Sequence, residues 1–173
     1  MASRIVKFLI VLPLFLCAGA IAQDPRPYGP PVGVEDAKRV AAAAVAEAKK
    51  NNWLMAVAVV DPSGTLVYYE KMDNTQTGSA QVAIDKARTS ALFKRPSKVF
   101  EDLVAGGGTG LRFLDLPGAM PIGGGIPLIT NNHIIGAIGV SGDSSDHDAI
   151  CAQAEVATKA ANMQEKLTPY FLI

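Results

Sequence analysis

Two pairs of apolar segments, each joined by a short turn, constrain the fold of this chain more than any other feature. In the first pair, WLMAVAVV (53–60) is followed by the turn DPSG (61–64) and then by TLVYYEK (65–71). Proline presets the second position of such a turn, and glycine supplies a positive φ. Strands joined this tightly pair antiparallel, because a parallel connection needs a crossover of a dozen or more residues. The segment therefore predicts a hairpin.

The second pair of strands is predicted further along the chain. PIGGGIPLIT (121–130) and HIIGAIGVS (133–141) are joined by Asn131 and Asn132, which tolerate the left-handed backbone of a tight hairpin. In the first hairpin, Tyr68 and Tyr69 are neighbours in a strand, so their side chains are expected on opposite faces of the sheet.

Helical periodicity appears around both hairpins. Alanine and valine repeat at helical spacing from Val34 to about Asn52, and a second helix is predicted from Ser79, as its cap, to Phe93. A short helix is predicted near Ser97, and a last one from near Asp146 to about Met163. The order of elements predicts a single α+β domain, an antiparallel sheet flanked by helices.

The N-terminal region has a different composition from the rest. Residues 1–22 combine Arg4 and Lys7 with an apolar core and the cleavage pattern Ala20-Ile21-Ala22, which predicts a secretory signal peptide and a periplasmic or secreted protein with no stable membrane span after cleavage. Residues 23–33 predict a Pro/Gly-rich arm acting as a tether or latch, and residues 34–173 form the predicted domain.

Cleavage of the predicted signal peptide would leave Cys151 as the one cysteine of the chain. Cys151 is expected to be buried, so no internal disulfide is predicted.

Composition and motifs exclude several classes of function. The formal net charge is zero and no basic patch stands out, which gives no case for nucleic acid as a partner. The glycine-rich segment AGGGTG (105–110) predicts a loop, but it lacks the lysine and hydroxyl pair of a phosphate-binding loop. Ser141, His147 and Asp148 lie in one loop and helix start, where helix capping explains such residues better than a hydrolytic triad. The spacing of the two histidines does not indicate a zinc site.

Three blocks of sequence carry a resemblance to a known family. AVAVVDPSGTLVYYEKMD, AIDKARTSALF and GGGIPLITNNHIIGAIGVSG, followed by an acidic helix start, resemble the GlcG/HbpS-like family, also called the haem-degrading or DUF336 domain, and the C-terminal domain of PduO-type proteins. The resemblance covers nearly all of residues 34–163. It implies a profilin-like fold, a homo-oligomer, and haem or a related tetrapyrrole as a ligand.

The resemblance also gives candidate ligand-binding residues. His147, near a helix start that favours a neutral imidazole, could be the metal ligand to haem iron, or it could simply face solvent. Lys86 and Arg88 could pair with propionates, or could lie on a solvated helix face. Met120 is an alternative iron ligand. The glycines at 124 and 125 would let backbone approach either a flat ligand or the helix that carries Lys86.

Three functions remain open from the sequence. The leading one is an exported protein that binds a small molecule, with haem or a related tetrapyrrole as the leading ligand. The second is an enzyme or redox accessory protein that acts on a small organic substrate, including haem degradation, in the same cleft. The third is an assembling protein that binds no ligand.

Overall fold

A four-stranded antiparallel sheet with the order β2-β1-β4-β3 forms the centre of the protein. The structure is a computed structural model that describes residues 24–154. The strands are β1 (Ala56–Val60), β2 (Leu66–Lys71), β3 (Gly125–Thr130) and β4 (His133–Ser141), and the helices are α1 (Val34–Lys50), α2 (Ser79–Phe93) and α3 (Lys98–Ala105). A 3-10 helix covers Gly108–Asp115, and the chain is helical again from 145 to 154. The predicted α+β class is confirmed.

Both predicted hairpins form, and their turns have the expected backbone geometry. Gly64 has a φ of +80°, while Asn131 and Asn132 have φ values of +48° and +61°. The Asp61 carboxylate also organises the first turn, because its Oδ1 accepts hydrogen bonds from the backbone N–H groups of Ser63 and Thr65. Two consecutive residues with positive φ match the twist of the flanking strands, which explains the tight connection between β3 and β4.

The two faces of the sheet differ in the size of their side chains. The face toward α1 carries larger apolar groups, namely Val57, Val59, Ile138 and Val140. The face toward α2 carries mostly small residues, including Ala56, Ala58, Ala137 and Gly139. A Cβ added at Gly139 would lie 2.1 Å from the carbonyl oxygen of Ala83, so α2 lies directly on the strand backbone. Tyr68 packs with the first face and Tyr69 with the second, as predicted.

The Pro/Gly-rich arm packs against the domain over its described part. Tyr28 forms a parallel bridge with Ile134 of β4, and its hydroxyl donates a 2.8 Å hydrogen bond to the carbonyl oxygen of Ala91 in α2. The Lys94 ammonium lies 4.4 Å from the centre of the Tyr28 ring. These contacts hold the described part of the arm against β4 and α2.

Three local predictions were wrong. Gly78, not Ser79, precedes the first turn of α2, and no side chain caps that helix, so the Ser79 hydroxyl has a different environment. The segment 108–115, expected to begin in a glycine-rich loop, forms a 3-10 helix. Strand β3 begins at Gly125 rather than at Pro121, because positive φ at Gly124 (+115°) turns the chain just before it.

The remaining predictions concern the two ends of the chain. Cys151 is fully buried, as expected. The predicted signal peptide and the predicted helix end near Met163 lie outside the described residues. Among residues 24–154, no helix is both long enough and apolar enough to cross a bilayer.

Candidate functional site

A buried ion pair joins α2 to the helical segment 145–154. Lys86 Nζ lies 2.6 Å from Asp148 Oδ2, and each side chain is only 1% exposed. Lys86 follows Ala83 by three residues and precedes Ser90 by four, and all three are buried, so they share the inner face of α2. The interpretation of Lys86 as part of a solvated helix face is therefore wrong.

Gly124 and Gly125 allow the chain to pass next to this ion pair. A Cβ added at Gly124 would lie 2.8 Å from the Asp148 Cβ and 3.1 Å from Lys86 Nζ, and one added at Gly125 would lie 2.2 Å from the Lys86 carbonyl oxygen. Of the two neighbours predicted for these glycines, a flat ligand or the helix carrying Lys86, the structure shows the helix. The glycines thereby hold α2 and the segment 145–154 close enough for the ion pair to form.

The Asp148 carboxylate has more than one partner. The backbone N–H of Asp143 donates to Asp148 Oδ1 at 3.2 Å, while Oδ2 accepts from Lys86. Burial raises the pKa of Asp148 above its ordinary value, while Lys86 and the N–H groups of Asp143 and Gly142 act in the opposite direction. The carboxylate therefore contributes to a hydrogen-bonded structure and is not available as a free base.

Two side chains from the region of α3 hold residues 122–125, the glycine loop. The Ser97 hydroxyl donates to the carbonyl oxygen of Ile122 at 2.7 Å and accepts from the N–H of Gly125 at 2.9 Å. Burial by itself would raise the pKa of Glu101, but hydrogen bonds from Gly123, Ser145 and Lys98 outweigh burial and lower it. Ser97 and Glu101 thus fix the glycine loop, which forms one wall of the space around the Lys86–Asp148 ion pair.

A cavity of about 350 Å³ opens beside the ion pair. Its size lies at the low end of the range of about 300–1,000 Å³ for small-molecule sites. Most of the residues that line it are polar, and they come from around the start of α2, from Ile122 of the glycine loop, from the end of β4 and from the segment 145–154: Gln76, Gly78, Ser79, Val82, Lys86, Ile122, Ser141, Asp143, Ser145 and Asp148. The arrangement can hold a small polar molecule through hydrogen bonds.

His147 lies next to Asp148 in sequence but is not among the residues that line this cavity. Its ring stacks on Trp53, with 3.9 Å between ring centroids and an interplanar angle of 13°. His147 Nδ1 is buried and has no hydrogen-bond partner in the described part of the chain, although Asp143 Oδ1 lies 3.3 Å away. The side chain is 40% exposed, so the ring is neither freely solvated nor part of the core.

Arg88 and Met120 lie elsewhere. Arg88 Nε donates a 3.0 Å hydrogen bond to the carbonyl oxygen of Gly64, in the turn between β1 and β2. The backbone N–H of Met120 donates to Thr89 Oγ1 at 2.7 Å. The structure thus packs Gly124 and Gly125 against Lys86, whereas His147, Arg88 and Met120 are not among the residues that line the cavity. His133, the other histidine, is exposed at the start of β4.

Sequence reasoning missed Asp148 and Ser79 as members of the site, and it missed Trp53 as the neighbour of His147. The spacing of Lys86 from Ala83 placed the lysine on the inner face of α2 and could have predicted its burial. No comparable sequence signal pairs Trp53 with His147, since that contact depends on how the segment 145–154 packs. Within residues 24–154, no group of three or more His, Cys, Asp or Glu side chains could hold a metal ion.

Comparison with known proteins gives the family. The family described as "Haem degrading protein HbpS-like" matches residues 32–157, which is most of the chain. The chain belongs to the HbpS-like family. This HbpS-like protein is 39% identical to protein GlcG of Escherichia coli strain K12 over 105 residues, covering 61% of this chain and 77% of GlcG.

Two solved structures resemble this HbpS-like protein along most of its length. The crystal structure of the complex of PduOC with heme is matched with a TM-score of 0.66 and 28% identity, covering 73% of this chain and 94% of PduOC. The crystal structure of HbpS is matched with a TM-score of 0.68 and 28% identity, covering 81% of this chain and 98% of HbpS. The fold and the family expected from the sequence are both confirmed.

Proposed function

We propose that this HbpS-like protein binds haem or a related tetrapyrrole and that His147 ligates the iron. The observation that carries the proposal is the likeness to PduOC, whose crystal structure is a complex with heme, over 73% of this chain. The description of the family as haem-degrading supports the same ligand class. Haem, when bound, would supply visible absorption and a redox-active iron.

The surroundings of His147 fit the role of an iron ligand. An imidazole that ligates a metal through one nitrogen usually has its other nitrogen oriented by a carboxylate or carbonyl. Here the carboxylate nearest to Nδ1 is that of Asp143 at 3.3 Å, without the geometry of a hydrogen bond, and Nε2 has no partner among the described residues. Trp53 fixes the plane of the ring by stacking on it. The ring is therefore oriented before any ligand arrives.

Apolar surface lies close to His147. Ile150, three residues further along the helical segment, is 46% exposed, and Leu54, next to Trp53, is 44% exposed. Exposed aliphatic groups beside an oriented imidazole suit a ligand that is flat, apolar and iron-containing. Lys86 does not fit the role of a propionate partner, since it is buried and paired with Asp148. Arg88 is 48% exposed, but it lies at the turn between β1 and β2.

A hemin titration followed by visible absorption tests the proposal. The protein should show a saturable Soret band, and His147→Phe, which keeps a ring against Trp53 but removes both nitrogens, should shift the band and weaken binding. His133→Ala is the matched control and should bind hemin normally, because His133 is exposed in the β3–β4 turn. An unchanged spectrum in His147→Phe would exclude His147, and no saturable binding by the unmodified protein would exclude haem.

Haem degradation is a second candidate, favoured by the description of the family. The hemin-loaded protein should then lose its Soret band and release iron when a reductant is added under air. A band that is reduced but otherwise stable would leave binding as the function.

We further propose that the protein is exported and forms a non-covalent homo-oligomer. The predicted leader supports export, and the absence of any predicted internal disulfide supports an assembly held by packing. Light scattering at micromolar concentration should give a mass of at least twice that of the chain. A monomer mass would contradict the assembly.

A further inference from the structure

The Ser79 hydroxyl is buried without a partner beside the Lys86–Asp148 ion pair. Ser79 is 1% exposed, and its Oγ makes no hydrogen bond within residues 24–154. Leaving a buried polar group unpaired costs about 1–3 kcal/mol. Ser79 lines the cavity of about 350 Å³ described above, so an occupant of that cavity would be in a position to pair with the hydroxyl.

Lys86, which lines the same cavity, has hydrogen-bond donors that no described residue accepts. Its ammonium carries three N–H donors, and in the described part of the chain the one acceptor it contacts is Asp148 Oδ2. Two N–H groups are therefore available to acceptor atoms of an occupant. Ser79 can donate or accept, so the side chains of the cavity offer mainly donors toward a molecule with several oxygen atoms.

The charges around the cavity select against ionic occupants. Lys86 and Asp148 neutralise each other, and Asp143, 43% exposed, adds a negative charge at the edge. With that pair neutral, Asp143 leaves the edge of the cavity negative and repels a carboxylate ligand, while an ammonium group has no acceptor atom for the spare donors of Lys86. A neutral molecule avoids both penalties, because burying a charge without a partner is far more costly than burying a hydrogen-bonded polar group.

We infer that the cavity between α2, the glycine loop and the end of β4 is a binding site for a small, uncharged molecule rich in hydroxyl or carbonyl groups. Lys86 and Ser79 donate hydrogen bonds to its oxygens, and Ser141 and Ser145 line the rest of the site. Asp148 holds Lys86 in place. The site adjoins the one proposed for haem, since Asp143 borders both, but it is a different site because His147 does not line it and because its volume suits a far smaller molecule than a tetrapyrrole.

The test is a titration of the ¹⁵N-labelled protein with three probes of similar shape and different charge: glycerol, glycerate and serinol, the last being glycerol with an amine in place of its central hydroxyl. Dihydroxyacetone is added as a neutral carbonyl probe. Saturable shifts of the amide signals of Ser79, Gly124 and Asp143 are expected with glycerol or dihydroxyacetone, at lower concentration than with either ionic probe. Tighter binding of glycerate or serinol, or the absence of any saturable shift because the cavity holds only water, would overturn the inference.

Two serine variants complete the test. Ser79→Ala should fold normally, because its hydroxyl makes no hydrogen bond within residues 24–154, and should weaken binding of the neutral probe by about two- to tenfold. Ser90→Ala is the matched control: Ser90 lies on the same helix, is also buried, and its hydroxyl likewise has no partner in the part of the chain that the structure describes, but it does not line the cavity. Equal affinities in Ser79→Ala and Ser90→Ala would contradict the role assigned to Ser79. Neither result depends on whether hemin binds.

Discussion

Lys86 and Asp148 are 62 residues apart in sequence, yet their side chains meet at 2.6 Å in the interior. The contact connects α2 with the segment 145–154, on either side of the glycine loop. Because both charges are almost completely excluded from solvent, each depends on the other for compensation.

Removing one charge of this pair should therefore be costly. Lys86→Met leaves Asp148 buried without its counter-ion and should lower the free energy of unfolding by about 3–5 kcal/mol, measured by chemical denaturation. The double variant Lys86→Met with Asp148→Asn should lose less than the sum of the two single variants, because it buries no unpaired charge. Additive losses would show that the two groups are not coupled. Any loss of ligand binding in a Lys86 variant has to be compared with its loss of stability.

A single methyl group at Gly139 should disturb the contact between the sheet and α2. In Gly139→Ala the new Cβ would lie 2.1 Å from the Ala83 carbonyl oxygen and 2.5 Å from the Ala87 nitrogen, both backbone atoms that cannot rotate away. Overpacking typically costs about 1–3 kcal/mol, and we expect the upper end of that range by chemical denaturation. Gly78→Ala is the control, since its Cβ would meet nothing within 4 Å and its backbone is already helical. A Gly139→Ala protein as stable as the control would show that α2 can move away from β4.

The thiol of Cys151 should be unreactive in the folded protein. Burial, followed by the nearby carboxylates, raises the pKa of Cys151 from 9.0 to about 12, so almost no thiolate exists at pH 8. Iodoacetamide should label Cys151 in denaturant but not under native conditions, in protein that begins at Gln23 and so has no other cysteine. Rapid native labelling would contradict the burial of this residue.

The raised pKa of Cys151 also predicts how the free energy of unfolding depends on pH under alkaline conditions. Above pH 9 the unfolded state loses the thiol proton while the folded state keeps it, so the unfolded state is favoured progressively. The contribution of Cys151 to the free energy of unfolding should be complete below pH 9 and should be lost as the pH rises from 9 toward 12. Cys151→Ala, compared at each pH with the unmodified protein, should remove this component of the decline.

If the protein is exported, its mature chain should begin at a defined residue. If residues 1–22 are a signal peptide, the intact mass of protein isolated from its native envelope or medium should correspond to a chain that begins at Gln23. Protein that retains Met1 as the main species would exclude cleavage at this site. A replacement of Ala22 by a bulky residue should block processing and cause the longer form to accumulate.

The sequence by itself determined the parts of this protein that depend on neighbouring residues. The hairpin turns at Gly64 and at Asn131 and Asn132 follow from which residues accept positive φ, and the opposite orientation of Tyr68 and Tyr69 follows from the pleat of a strand. The alternation of helices and hairpins led to the α+β class for the same reason: hydrophobic period and turn chemistry are local properties. Family membership was also recognisable, since three sequence blocks carried it.

Only the tertiary structure decided which distant side chains share an environment. From the sequence alone, Lys86 could have been a surface residue. The packing of α2 against Gly125 and Gly139 instead places its ammonium beside Asp148. Ser79 has the residue type of a helix cap, yet it lines a cavity and caps no helix, and His147 stacks on Trp53 rather than joining Lys86. Such contacts depend on the angles and separations between elements, which are set by summed packing over the whole core and are not encoded in any short stretch of sequence.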